Sequence, residues 1–209
     1  TYWKQLGGMY GSQERETDQL VATEMVYMND QLTTESQVMS MAYMYLGAEV
    51  PYRAAKIIDK GMQDKIIEKN AKNFEVLGQA WWQAKNLESA LKSFESASKF
   101  SDTGEIQSRI ASIYLDLGKD KQAYNAAKKA AKKGEVKNAS TNYATMGSAL
   151  INLHCYKDAV KAFNQSVKTA KTKKAKRYPA QWIKFANAEG SRLQKLRDVG
   201  ATVPGCSKA

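Results

Sequence analysis

A repeated pattern of about 35 residues constrains the fold of this chain more than any other feature. Five segments align on a pattern of a large apolar residue, a Leu, Ile or Met three positions later, a small residue next, and an aromatic residue or Leu after three more. The fourth segment departs from it with Gln107 at the first position. The Leu-type positions are Leu6, Met41, Leu77, Ile110 and Met146, with spacings of 35, 36, 33 and 36. Apolar residues three and four apart form one side of a helix. A repeat of this length therefore predicts stacked helical units.

The second half of four segments predicts a second helix, whereas Gln19, Thr23 and Val26 in the first segment do not fit this half of the pattern. Nine residues after the aromatic position comes a site that is usually alanine, with an apolar residue four positions later and a small residue three after that. The clearest instance is Phe74, Leu77, Gly78, Trp81, Ala90, Phe94 and Ala97. Each segment is thus predicted to be a helix hairpin. One hairpin cannot bury its apolar side alone, so hairpins stack on their neighbours.

This pattern resembles the tetratricopeptide repeat (TPR) family. The resemblance implies an all-α fold, a right-handed TPR superhelix (α-solenoid) of about five helix hairpins plus a C-terminal capping helix. We predict hairpins at about 1–33, 35–68, 71–104, 104–137 and 140–173, a capping helix at 174–197 and a flexible tail at 198–209. The pattern has no capping helix at its N-terminal end. We therefore predict that further repeats precede Thr1 and that the chain can self-associate through this end.

Three stretches are similar to bacterial TPR proteins associated with TonB energy-transduction systems. They are the run from Val50 to Gly61, the run from Lys69 to Glu75 and the cap segment from Ala180 to Phe185. This resemblance implies a periplasmic or cell-envelope protein that supports TonB-dependent uptake and contacts TonB-system components. A cytoplasmic location is the alternative.

Few residues are available for catalysis or metal binding. The 209 residues include one His and two Cys, whereas a structural zinc site normally needs four such ligands. Phosphate-binding glycine loops and the HExxH zinc motif are absent from the sequence. We therefore predict no enzymatic activity, no cofactor and no metal. Cys155 and Cys206 either stay as free thiols or form a disulfide, which an oxidising compartment would permit.

The expected function is binding of a partner peptide or helix in a concave groove lined by the first helices. Its predicted residues lie off the core stripe of those helices: Met39, Tyr43, Gln79, Trp82, Gln83, Arg109, Ser112, Asp116, Ser148 and Asn152. Trp82 follows Trp81, and two adjacent helical residues cannot both face one core. Trp82 is therefore either a ligand anchor or a packing residue against a neighbouring first helix.

Charge suggests a second way to bind partners. Residues 1–104 hold 11 basic and 14 acidic side chains, whereas residues 105–209 hold 21 basic and 7 acidic ones. Many lysines fall on predicted second helices, which form the convex side in this family: Lys121, Lys128, Lys129, Lys132, Lys133, Lys157, Lys161 and Lys168. This basic face either keeps the protein soluble or contacts an anionic surface such as lipid headgroups, an acidic protein or RNA. Nucleic acid is the least favoured, because no aromatic residues alternate with these lysines.

Overall fold

The computed structural model describes residues 2–207, which form eleven α-helices and no strands within that range. The helices are α1 (Tyr2–Ser12), α2 (Glu16–Met28), α3 (Glu35–Gly47), α4 (Pro51–Gln63), α5 (Ala71–Gln83), α6 (Leu87–Phe100), α7 (Gly104–Asp116), α8 (Asp120–Lys133), α9 (Ala139–Asn152), α10 (Tyr156–Thr169) and α11 (Lys173–Asp198). The prediction of an all-α fold built from helix pairs is confirmed.

The chain divides into two compact units, one up to Phe100 and one from Ser101. In the first unit, α1 packs on α2, α3 on α4 and α5 on α6, with α4 also against α5. In the second unit, α7 to α10 form two hairpins, α9 packs on both α7 and α8, and α11 packs mainly on α10. Within residues 2–207 no helix combines the length and apolar character that crossing a bilayer requires.

The same turn closes all five hairpins. A residue with positive φ follows each first helix, and the N–H of the next residue donates to the carbonyl of the aromatic-type position five residues earlier. This is the Schellman arrangement that ends many helices. The positive-φ residues are Glu14, Glu49, Lys85, Gly118 and His154, and they follow the same spacings as the Leu-type positions.

Small residues let the two helices of each hairpin approach closely. The alanines at the equivalent second-helix site are fully buried, as Ala54, Ala90, Ala123 and Ala159 show. A Cβ atom on Gly78 would lie 2.7 Å from the Phe94 ring, and one on Gly147 would lie 2.8 Å from the Phe163 ring. The aromatic residue of the second helix therefore fills the space that the missing side chain leaves.

Gly104 provides a test of this close packing. It is the first residue of α7 and is buried, and a Cβ atom there would overlap the carbonyl oxygen of Gly134 and lie 2.9 Å from that of Ala130. We expect Gly104→Ala to lower the free energy of unfolding by about 1–3 kcal/mol, because a rigid backbone must move. Urea denaturation measures the change.

Gly8→Ala is the control for this prediction. Gly8 lies inside α1 with no neighbouring atom within 4 Å of the new Cβ. Alanine there should stabilise the protein by about 0.5–1 kcal/mol, because it restricts the unfolded chain. Equal unfolding free energies for Gly104→Ala and the wild type would mean that α7 and α8 are not in close backbone contact.

Candidate functional site

Five predicted groove residues form a polar face on the second unit. Arg109, Ser112 and Asp116 lie three and four residues apart on α7, while Ser148 and Asn152 lie four apart on α9. The hydroxyls of Ser112 and Thr145 are 3.5 Å apart, which joins the two helices along this side. We call these five residues the first-helix face of the second unit.

Hydrogen bonds hold the side chains of this face in place. The Arg109 guanidinium pairs with Glu105 at 3.2 Å, and the Asn152 amide donates to the Asp120 carboxylate at 2.8 Å. Asp116 and Asn152 are exposed, and the other three residues are half-buried. The hydroxyl, amide and guanidinium groups of this face are able to form hydrogen bonds with a peptide backbone.

Tyr178 borders this face and was not predicted to belong to it. The sequence places it in the capping helix, but its hydroxyl lies 3.2 Å from the Ser148 hydroxyl while its ring is 49% exposed. Helix α11 therefore supplies an aromatic side chain next to α9. The repeat pattern could not indicate this contact, because α11 lies outside the repeat.

The first unit carries the remaining predicted groove residues. Tyr43 on α3 is 47% exposed and Gln83 on α5 is exposed, while Gln79 and Trp82 are half-buried. Trp81 is buried and its ring meets Tyr52 edge-on at 5.7 Å. The prediction that one of the adjacent tryptophans is partly exposed is confirmed.

Met39 corrects the predicted groove. Only 7% of its surface is accessible, so it is a core residue and not a groove residue. Both Val38 and Met39 are buried, so α3 buries a wider stripe than the repeat pattern alone requires. The predicted groove residues divide between the two units, and a groove that is continuous through both stays a prediction.

The predicted basic face lies on α8 and α10, and several of its lysines have local partners. Lys129 and Lys133 both pair with Asp102, at 3.3 and 2.9 Å, and Lys161 pairs with Asp158. The bond from Lys133 holds the pKa of Asp102 below its usual range. Lys132 and Lys133 occupy the last turn of α8, where the helix dipole favours cations. Stability therefore explains part of this face, and its role in binding stays a prediction.

A cavity of about 430 Å³ lies in the first unit beside α4, lined by Tyr27, Tyr45, Tyr52, Arg53 and Lys60 among others. Burial raises the pKa of Tyr45 to about 12, and the hydrogen bond from its hydroxyl to Glu24 adds to the effect. The same carboxylate accepts from Arg53 at 2.7 Å. These hydrogen bonds connect α2, α3 and α4, and the charges of Glu24 and Arg53 pair with each other.

A second cavity, of about 940 Å³, lies between α10 and α11 beside a disulfide. Cys155 and Cys206 are bonded, so of the two alternatives for these cysteines the structure has the disulfide. The Ser207 amide also donates to the Leu153 carbonyl, and Arg197 donates to the Pro204 carbonyl. The far end of the segment after α11 thus contacts the turn between α9 and α10, and the flexible tail at 198–209 stays a prediction.

His154 and Cys155 form no catalytic pair. His154 occupies the positive-φ turn, and its Nδ1 lies 3.3 Å from the Tyr156 hydroxyl. The Cys155 sulfur is in the disulfide and is 4% exposed. Among residues 2–207, no three His, Cys, Asp or Glu side chains are grouped so as to hold a metal ion.

No family model and no curated protein matches this chain. Solved structures do match it. A crystal structure of the MamA protein superposes with a TM-score of 0.66 at 16% identity, covering 80% of this chain and 90% of that one. The C-terminal part of a TPR repeat-containing protein from Cytophaga hutchinsonii gives 0.68 at 13% identity, covering 89% and 70%.

A thermophilic TPR protein of Thermus thermophilus also matches, with a TM-score of 0.56 at 14% identity, covering 86% of this chain and 96% of that one. Identities this low show the fold alone. The chain therefore has the fold of TPR proteins, as its repeat predicts.

Proposed function

We propose that this protein is a non-enzymatic scaffold that binds a segment of a partner protein on the first-helix face of the second unit. The observation that carries the proposal is the contact of polar side chains from α7, α9 and α11 along this face. Asp116 and Asn152 are exposed there, and Tyr178 adds a half-exposed ring from α11. Amide, hydroxyl and aromatic side chains bind a peptide through hydrogen bonds and ring contacts, without a catalytic step.

The TPR fold supports a binding role, because stacked helix hairpins present an extended surface and each hairpin contacts mainly its neighbours. Fold alone is a weak argument for any one ligand, so the proposal depends on the side chains of this face. The lone histidine, held in a turn, and a disulfide-bonded cysteine favour a scaffold over an acyl-transfer enzyme.

We further propose that the scaffold works in the bacterial periplasm or cell envelope, beside a TonB-dependent uptake system. Two observations support this location. The disulfide between Cys155 and Cys206 favours an oxidising compartment. The runs at 50–61, 69–75 and 180–185 resemble TonB-associated TPR proteins. A component of the energy-transduction complex is then the expected partner.

A matched pair of substitutions tests the proposed face. Asn152→Arg places a large cation on the first-helix face, and Asn164→Arg makes the same change on the exposed surface of α10. In pull-downs from an envelope extract, Asn152→Arg should recover at least about tenfold less partner than the wild type. Asn164→Arg should recover the wild-type amount.

Equal recovery by both variants would place the partner elsewhere, and loss with both would indicate an effect of charge alone. Identification of the recovered proteins by mass spectrometry tests the envelope proposal separately. A cytoplasmic protein recovered in an Asn152-dependent manner would support the face and contradict the proposed location.

A further inference from the structure

Helix α11 and the residues just before it carry a dense group of cations and two exposed aromatic rings. From Ala170 to Ala188 the chain has no acidic residue. All its basic side chains in this stretch are exposed, and Tyr178 and Phe185 are 49% and 46% exposed. We call this group the α11 strip, which consists of Lys171, Lys173, Lys174, Lys176, Arg177, Tyr178, Lys184 and Phe185.

None of the cations of the α11 strip forms a salt bridge with any residue from 2 to 207. The lysines of α8 differ, since Lys129 and Lys133 share the carboxylate of Asp102. Within the described residues the strip therefore contains charges of one sign, and no salt bridge neutralises them.

Helix stability does not explain this placement. Lys173, Lys174 and Lys176 lie in the first turn of α11, which contains no acidic residue. The N-terminal end of a helix carries positive partial charge, so cations there are unfavourable. Residues that oppose a local structural preference without a compensating contact point to a function.

The aromatic rings of the strip lie on one side of the helix and are held in position. Tyr178 and Phe185 are seven residues apart, so they are aligned along α11. Between them Trp182 stacks at 6.2 Å on Phe163, which is completely buried, and meets the Phe185 ring edge-on at 5.3 Å. The two exposed rings therefore project from one flank of α11, beside Lys174. At about 100° per residue, Lys173, Arg177 and Lys184 follow on the outward side of the helix, and Lys176 lies on the opposite flank.

We propose that the α11 strip docks on an anionic lipid bilayer. Basic side chains next to half-exposed aromatic rings on an amphipathic helix are the combination that binds the interface of negatively charged membranes. The rings would enter the headgroup region while the long cationic side chains reach the lipid phosphates. Rings that project from the side of a helix suit a flat surface, whereas an acidic peptide is better bound in a groove. The strip shares Tyr178 with the proposed partner face, but the inference rests on the cations and Phe185 and does not require a partner on that face.

Vesicle co-sedimentation of the full chain tests the proposal. The protein should sediment with vesicles of phosphatidylcholine and phosphatidylglycerol, should not sediment with phosphatidylcholine alone, and should dissociate at high salt. Replacing Lys173, Lys174, Arg177 and Lys184 with glutamine should weaken binding about fivefold for each cation removed. Phe185→Ser leaves the charge unchanged and should weaken binding about five- to tenfold, because the ring no longer inserts.

The matched control removes the same number of cations from α8 and α10: Lys128, Lys132, Lys157 and Lys168 to glutamine. These four lysines are exposed, so both sets should fold, as circular dichroism checks. The control set should keep most of the binding. Equal losses for the two sets, or unchanged binding by Phe185→Ser, would overturn the proposal in favour of general charge attraction. Binding to polyglutamate without binding to vesicles would overturn it in favour of an acidic protein.

Discussion

Replacing Phe163 with alanine is expected to lower the free energy of unfolding by about 3–5 kcal/mol. Phe163 is completely inaccessible and belongs to a core cluster with Leu150, Leu153 and Ala186. Its ring contacts the backbone side of Gly147 and stacks on Trp182. Alanine would leave a cavity where α9, α10 and α11 meet.

Urea denaturation followed by circular dichroism measures this loss, and Phe185→Ala is the control. Phe185 lies on α11 close to the same tryptophan but is 46% exposed, so its truncation should cost less than about 1 kcal/mol. Similar losses of unfolding free energy for both variants would contradict the packing of α11 on α10.

Breaking the disulfide is expected to lower the free energy of unfolding by up to about 4 kcal/mol. The bond joins residues separated by 51 positions, and closing a loop of that length restricts the unfolded chain strongly. The loop contains α10 and α11. Loss of the disulfide should therefore also free the segment after α11, where Ser207 donates a hydrogen bond to the Leu153 carbonyl. Cys206→Ala removes the bond without changing a buried side chain, since Cys206 is exposed.

Thermal unfolding of the wild type with and without reductant, beside Cys206→Ala, measures this effect. The reductant should lower the melting temperature of the wild type to that of the variant and leave the variant unchanged. A wild type that is insensitive to reductant would contradict a bond that constrains the second unit. The same result would weaken the proposed periplasmic location.

The repeat spacing was sufficient to predict the helix pairs, because each repeat places its small and large residues at equivalent positions to pack one helix on the next. In the third and fifth repeats a glycine lies where an aromatic ring from the second helix fits, as at Gly147 and Phe163. The turns obey the same period, but only Gly118 among the five positive-φ residues is glycine. The backbone conformation at Glu14, Glu49, Lys85 and His154 follows from the Schellman hydrogen bonds, which residue type alone does not indicate.

The candidate site was predicted less completely, since helical period gives the direction of a side chain but not its neighbours. Met39 lies off the regular core stripe and is nevertheless buried. Tyr178 and Ser148 are thirty residues apart and meet through the packing of α11, which has no repeat to compare. Likewise, the pairing of Lys129 and Lys133 with Asp102 depends on how α8 sits against the segment before α7.

Site-specific photo-crosslinking tests the central claim most directly, because it reports which surface touches the partner. A benzophenone side chain would replace Asn152 on the first-helix face in one variant and Asn164 on α10 in the other, both at exposed positions. Irradiation in an envelope extract should crosslink a partner protein from position 152, and excess unlabelled wild-type protein should compete it away. The same product formed from position 164, and not from 152, would contradict a scaffold that binds through its first helices.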